Sequence, residues 1–178
     1  MDHRYVKIIL KECKTQDAMT PEEVARFAVA YTMASDQCIS MEQHFGHVMV
    51  RRLANIIVPE TGGRYRKVPV HFSDPTWKGL DHPLIHRAMD NLLSAAAKGY
   101  ISADEFYQEF QKIHPFTDGN GRVGHILWKI LKCRDGVSWD PFAISGPPMF
   151  LSMRVPASFV DKWEEPDPDF DVLSREDK

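Results

Sequence analysis

His114-Pro115-Phe116-Thr117-Asp118-Gly119-Asn120-Gly121-Arg122 is the stretch on which the reading of this chain turns. Behind it, Val123, Ile126, Leu127, Ile130 and Leu131 recur at helical spacing, so it opens a helix from about 121 to 133. Gly-Asn-Gly at a helix start can turn several backbone N–H groups toward one point, and the helix dipole adds partial positive charge there. Arg122 falls in the first turn, where the dipole disfavours a cation. An anion between the two removes the conflict, and the arginine fork grips phosphate bidentately. Asp118 offers a hard oxygen of the kind that Mg²⁺ takes together with substrate phosphates. His114 titrates near neutral pH and can accept a proton from an attacking hydroxyl. Each residue alone has a bland reading as a cap or a turn. Together, within nine residues, they point to phosphoryl or nucleotidyl transfer.

Outward from this stretch the chain reads as mainly α-helical. Ser102-Ala103-Asp104-Glu105 is a capping box, followed by Phe106, Phe110 and Ile113 on one face. Thr20-Pro21-Glu22-Glu23 is another, with Val24, Phe27, Ala28 and Tyr31 behind it. Ser40-Met41-Glu42-Gln43 is a third, leading into Phe45, Val48, Met49, Leu53 and Ile56. Asp81 and Pro83 can open a helix carrying Leu84, Ala88, Met89 and Leu92, and Gly136 is a plausible stop for the helix behind Arg122. One segment departs from this rhythm. Val68, Val70 and Phe72 alternate with Lys67, Pro69 and His71 after the Gly62-Gly63 turn, the pattern of an edge strand or small hairpin. Beyond Trp139 the prolines leave loops and one short helix.

Composition narrows the classes. The 178 residues suit one domain over 1–163, and 164–178 form an acidic tail expected to lie outside the fold. The net charge is −3: the tail carries seven acids and two bases, a net of −5, and the body 1–163 is about +2. The nearly balanced body argues against a surface built for long nucleic acid. No apolar run approaches a membrane span, and no signal-peptide core follows Met1. Three scattered cysteines without a C-x-x-C pair suit a reducing, cytoplasmic setting. His44 with His47, and His82 with His86, have spacings that could share a helix face, but without an H-E-x-x-H arrangement they read as ordinary histidines.

The motif resembles the signature of the Fic (Fic/Doc) family, H-x-F-x-[D/E]-G-N-G-R-x-x-R. Seven of eight specified positions match: His114, Phe116, Asp118, Gly119, Asn120, Gly121 and Arg122. Gly63-Arg64-Tyr65-Arg66-Lys67-Val68-Pro69-Val70 resembles the family's G-x-Y-R segment and flap, and the likeness covers about residues 40–135. It implies a Fic-type helical bundle with a small β-hairpin flap. It also implies Mg²⁺-dependent transfer of AMP from ATP to a Ser, Thr or Tyr hydroxyl of a target protein. By position, His114 would be the base, Asp118 the metal ligand, and Gly119, Asn120, Gly121 and Arg122 the phosphate cradle. Phe116 would anchor the loop, and Lys67, Val68, Pro69, Val70 and His71 would dock the target by strand addition. Alternatives are a Doc-like kinase, a phosphocholine transferase, or a non-catalytic nucleotide-binding or interaction module of the same fold.

Two departures stand out. The eighth position, an arginine that orients the γ-phosphate in the family, is His125 here. The family's intramolecular inhibitory helix, [S/T]-x-x-x-E-[G/N], has no match, since no Ser or Thr is followed by Glu four residues on. Nothing in the chain is therefore expected to block the site by that route. Activity would be constitutive or held by a separate, antitoxin-like partner.

Overall fold

The computed structural model describes residues 3–39, 45–70, 72, 78–139 and 147. Its elements are helices α1 (His3–Thr15), α2 (Pro21–Ile39), α3 (His47–Ile57), α4 (Ile85–Ala97), α5 (Ala103–Ile113) and α6 (Asn120–Arg134). Two single 3₁₀ turns, Pro59–Thr61 and His82–Leu84, complete them. The mainly α architecture expected from the sequence is what forms.

Helix α6 is the axis of the bundle. From Asn120 to Leu131 every residue except Gly121 is buried. A helix enclosed on all sides cannot show a one-sided apolar stripe, and its polar residues Arg122, His125 and Lys129 are carried inside with it. It packs against α5, α2 and α3, while α1 covers α2 and α4 covers α5. Phe106, Phe110, Ile113, Val123, Ile126 and Leu127 fill the α5–α6 seam with no exposed surface. Trp128 Nε1 ties the same seam by donating to Asp104 Oδ1 at 2.7 Å.

Local signals explain the helix starts. Glu105 N–H donates to Ser102 Oγ at 3.2 Å and Ser102 N–H to Glu105 Oε2 at 2.9 Å, a complete capping box. Thr20 and Glu23 repeat it at α2, and those hydrogen bonds hold the Glu23 carboxyl below the usual carboxylate range. Helix α4 starts after a 3₁₀ turn, and the Asp81 side chain does not cap it. The expected box at 40–43, the chain from 140 to 146, and the tail 164–178 lie outside the described residues.

Three differences from the sequence reading have physical causes. Helix α1 was not foreseen. It has no capping box, although Tyr5, Ile8, Ile9 and Cys13 keep helical spacing on the face turned to the core. Val48, read as part of the buried face of α3, is 80% exposed, because it lies in the first turn, where the helix emerges from the bundle. Lys67–Val70 form no strand among the described residues: they make an extended bend, and His71 and 73–77 lie outside. Pro69 has no N–H for a ladder, and the Val68 carbonyl is taken by the Arg66 side chain at 2.8 Å. The turn before the bend is as read. Gly63 has φ +66°, and a Cβ there would collide with the Arg51 carbonyl, so only glycine fits.

Candidate active site: the loop between α5 and α6

His114 is the residue after α5 and adopts the left-handed conformation, φ 51° and ψ 61°, which turns the chain sharply into the loop. Its Nδ1 lies 3.3 Å from the Gln111 carbonyl. A carbonyl can only accept, so Nδ1 carries the proton and Nε2 is left with its lone pair. Burial pushes the imidazole pKa down to about 4, and the Arg66 charge pushes the same way against the Gln111 hydrogen bond and Asp118. His114 is thus neutral at pH 7, where an unperturbed histidine would still be about one-quarter protonated. The Phe72 ring meets it edge-on with centroids 4.7 Å apart.

The loop is held by its own residues. Phe116 is fully buried, with its ring 5.4 Å from that of Tyr65. Asn120 clamps the Phe116 backbone from both sides: Phe116 N–H donates to Oδ1 at 2.9 Å, and Nδ2 donates to the Phe116 carbonyl at 2.8 Å. The side chain of Asn120, assigned from sequence to the phosphate cradle, is therefore spent on the loop. Only its backbone N–H remains for an anion. Gly119 has φ +75°, and a Cβ there would stand 2.8 Å from Val58 Cγ2. It offers no side-chain cap, so the first N–H groups of α6 have no partner within the helix.

Arg122 lies beneath this helix start and is 2% exposed. Its Nη2 is 3.5 Å from Asp118 Oδ2, while Nε and Nη1 are buried without a hydrogen-bond partner among the described residues. Leaving such donors unmet is costly, more so on a charged group, and they suit an anion with several oxygens. The Asp118 side chain is 66% exposed, and its Oδ1 accepts its own neighbour's Gly119 N–H. An open carboxylate beside an anion cradle suits Mg²⁺, which binds through few carboxylates and keeps phosphate and water oxygens.

Helix α1 reaches this site. Glu12 Oε2 meets His125 Nδ1 at 2.7 Å, and Gln16 Nε2 donates to Glu12 Oε1. The Gln16 carboxamide sits where a Cβ on Gly121 would be. His125, assigned from sequence to phosphate binding, is itself buried among Phe27, Tyr31 and Trp128. The inhibitory motif is absent as read, but an acid of another segment, Glu12, nevertheless meets position 125. Glu12 does not fit the motif, because no Ser or Thr stands four residues before it.

Lys67 and Pro69 are exposed, Val68 is 52% exposed and Val70 is half-buried. Sequence reading gave Arg66 no role beyond its place in the G-x-Y-R segment. Its guanidinium is buried and donates to the carbonyls of His114, Val68, Leu80 and Ile113. No local spacing announces this, because the four acceptors come from three separated stretches. Of the histidines with metal-like spacing, His47 is engaged by Tyr65 and Asp90 at 2.7 and 2.6 Å, and His44 lies outside the described residues. No group of three metal-ligating side chains gathers among the described residues.

A mainly helical domain with an anion cradle at one buried helix start is the class that fold and site define. Residues 45–131, just under half of the chain, match the sequence model of the Fic/DOC family. A crystal structure of a Fic domain containing signaling protein from Bacteroides thetaiotaomicron VPI-5482 has the same fold, with a TM-score of 0.55 at 23% identity. The similarity covers 65% of this chain and 48% of that one, so the chain spans about half that protein's length. No curated protein matches. No helix among the described residues is long and apolar enough to cross a membrane.

Proposed function

We propose that the chain transfers AMP from ATP to a hydroxyl side chain of a target protein, with Mg²⁺. The observation that carries this reading is Arg122, buried with two unmet donors under the N-terminus of α6. Such a group calls for a polyphosphate. The α6 N–H groups of Asn120 and Gly121, with Arg122, would hold the phosphates. Asp118 would hold Mg²⁺, which when bound neutralises phosphate charge as the leaving group departs. His114 Nε2 takes the proton from the target hydroxyl as its oxygen bonds to the α-phosphorus. The bond from that phosphorus to the bridging oxygen breaks, and pyrophosphate leaves. Lys67–Val70 would hold the target backbone by extended pairing, with Pro69 confining it to an edge. A separate inhibitory partner and a cytoplasmic location fit this reading.

A second reading, a module of the same fold that binds without transferring, draws on one observation. His125 is buried against Glu12 and Gln16 covers Gly121, so the cradle is partly filled by the chain itself. Incubation with Mg²⁺, a cell lysate and ATP labelled at the α or the γ position separates the readings. Protein-bound α-label supports AMP transfer, γ-label alone indicates a kinase, and neither favours the binding module.

A further inference from the structure

Arg66 is a buried cation whose side-chain hydrogen bonds go to backbone carbonyls, with the Asp81 carboxylate acting on it electrostatically. Nε donates to the His114 carbonyl at 2.7 Å, and Nη2 to Leu80 at 2.5 Å and Ile113 at 3.3 Å. Nη1 donates to Val68 at 2.8 Å, and the Arg66 backbone N–H donates to Pro115 at 2.8 Å. Three consecutive carbonyls, 113 to 115, are thus captured by one residue at the point where His114 takes its left-handed bend. The other two acceptors bracket the segment that leaves at Val68 and returns at Leu80. Gly79 closes the junction: a Cβ there would stand 3.0 Å from Val70 Cγ2, 3.1 Å from Arg66 Nη2 and 3.4 Å from His114 Cβ.

We infer that Arg66 is a positioning residue for the His114 base, locking its bend and joining it to both ends of the 67–80 segment. A non-Gly residue in the left-handed region is strained and persists only where its surroundings over-determine it. Five hydrogen bonds from one residue do this here. What lies along 67–70 is then sensed by the imidazole through a single rigid fork. Arg66 does not touch the α6 cradle, so its effect falls on the proton-accepting step and not on nucleotide binding.

The inference rests on His114 being the base, and its test is separable from that reading. The Arg66→Lys variant keeps the charge but cannot reproduce the fork. Gly79→Ala leaves Arg66 in place and presses a methyl against both Nη2 and His114. For each, kcat is expected to fall about 10–100-fold with the KM for ATP within about twofold. The His114 imidazole NMR resonances are expected to move away from the Nδ1–H pattern in both. These resonances need no activity, so they decide the matter even if the chain proves not to transfer AMP. If Arg66→Lys does not fold, Gly79→Ala and its resonances decide alone. Folded variants with native kcat, or with His114 resonances unmoved, overturn the inference.

Discussion

Glu12 Oε2 stands 2.7 Å from His125 Nδ1, joining the last turn of α1 to the second turn of α6 across 113 residues of chain. The pair lies beside the anion cradle, and Gln16, one turn on, covers Gly121. Helix α1 lies outside the residues matched to the family. It therefore bears on the site from a part of the chain that the family likeness does not describe.

Removing that acid is expected to open the cradle. Glu12→Ala should tighten ATP binding in calorimetric titration, and also lower stability by about 1–3 kcal/mol, because His125 loses its buried partner. His125→Arg alone should bring no gain in ATP affinity, since arginine in that place would pair with Glu12. The gain should emerge only in the double variant with Glu12→Ala. Unchanged ATP affinity in Glu12→Ala would mean that α1 does not obstruct the site.

Asp118 and Phe116 stand two residues apart with opposite exposure, and their variants should separate binding from folding. Asp118→Ala should abolish Mg²⁺-dependent nucleotide binding with little change in thermal melting, because its side chain faces solvent. Phe116→Ala should cost roughly 3–5 kcal/mol in denaturant unfolding, as expected for a fully buried ring. Normal Mg²⁺-dependent binding by Asp118→Ala would remove that carboxylate from the metal site.

The lowered pKa of His114 fixes a pH dependence. Above about 6.5 the folded and unfolded chains both carry the neutral ring. As pH falls, the unfolded chain takes the proton first, and the folded chain only near 4. Stability from this group is therefore complete above 6.5 and lost between 6.5 and about 4, on the order of 2–3 kcal/mol for a partly screened ring. His114→Gln should flatten that part of the stability–pH curve. The acid limb of the native rate profile should likewise lie near 4 rather than near 6.5, and a limb at 6.5 would contradict the burial of the imidazole.

The parts of this molecule that were legible are those built from neighbours in sequence. The Ser102 and Thr20 capping boxes, the α6 periodicity and the nine-residue motif each lie within one or two helical turns. What was not legible depends on distant contacts. Asn120 looked like a phosphate ligand because its partner, the Phe116 backbone, exists only once the loop is folded. Arg66 looked like a flap residue because its acceptors come from three stretches. Glu12 carried no signal in the sequence because α1 has no start signal and its partner is on another helix. The alternation at 67–72 suggested a hairpin, but among the described residues Pro69 has no N–H and the Val68 carbonyl is taken by the Arg66 side chain, so two of the bonds of a ladder are missing.

The central claim is that His114 and the cradle behind it move AMP to a protein hydroxyl. Its most direct test is the rate of α-label transfer from ATP to protein, with Mg²⁺, by the native chain and by His114→Ala at equal nucleotide occupancy. The account predicts labelling by the native chain and a loss of about 10²–10⁴-fold in the variant, the range for losing a general base. Equal labelling by the two, or label carried only from the γ position, would contradict it.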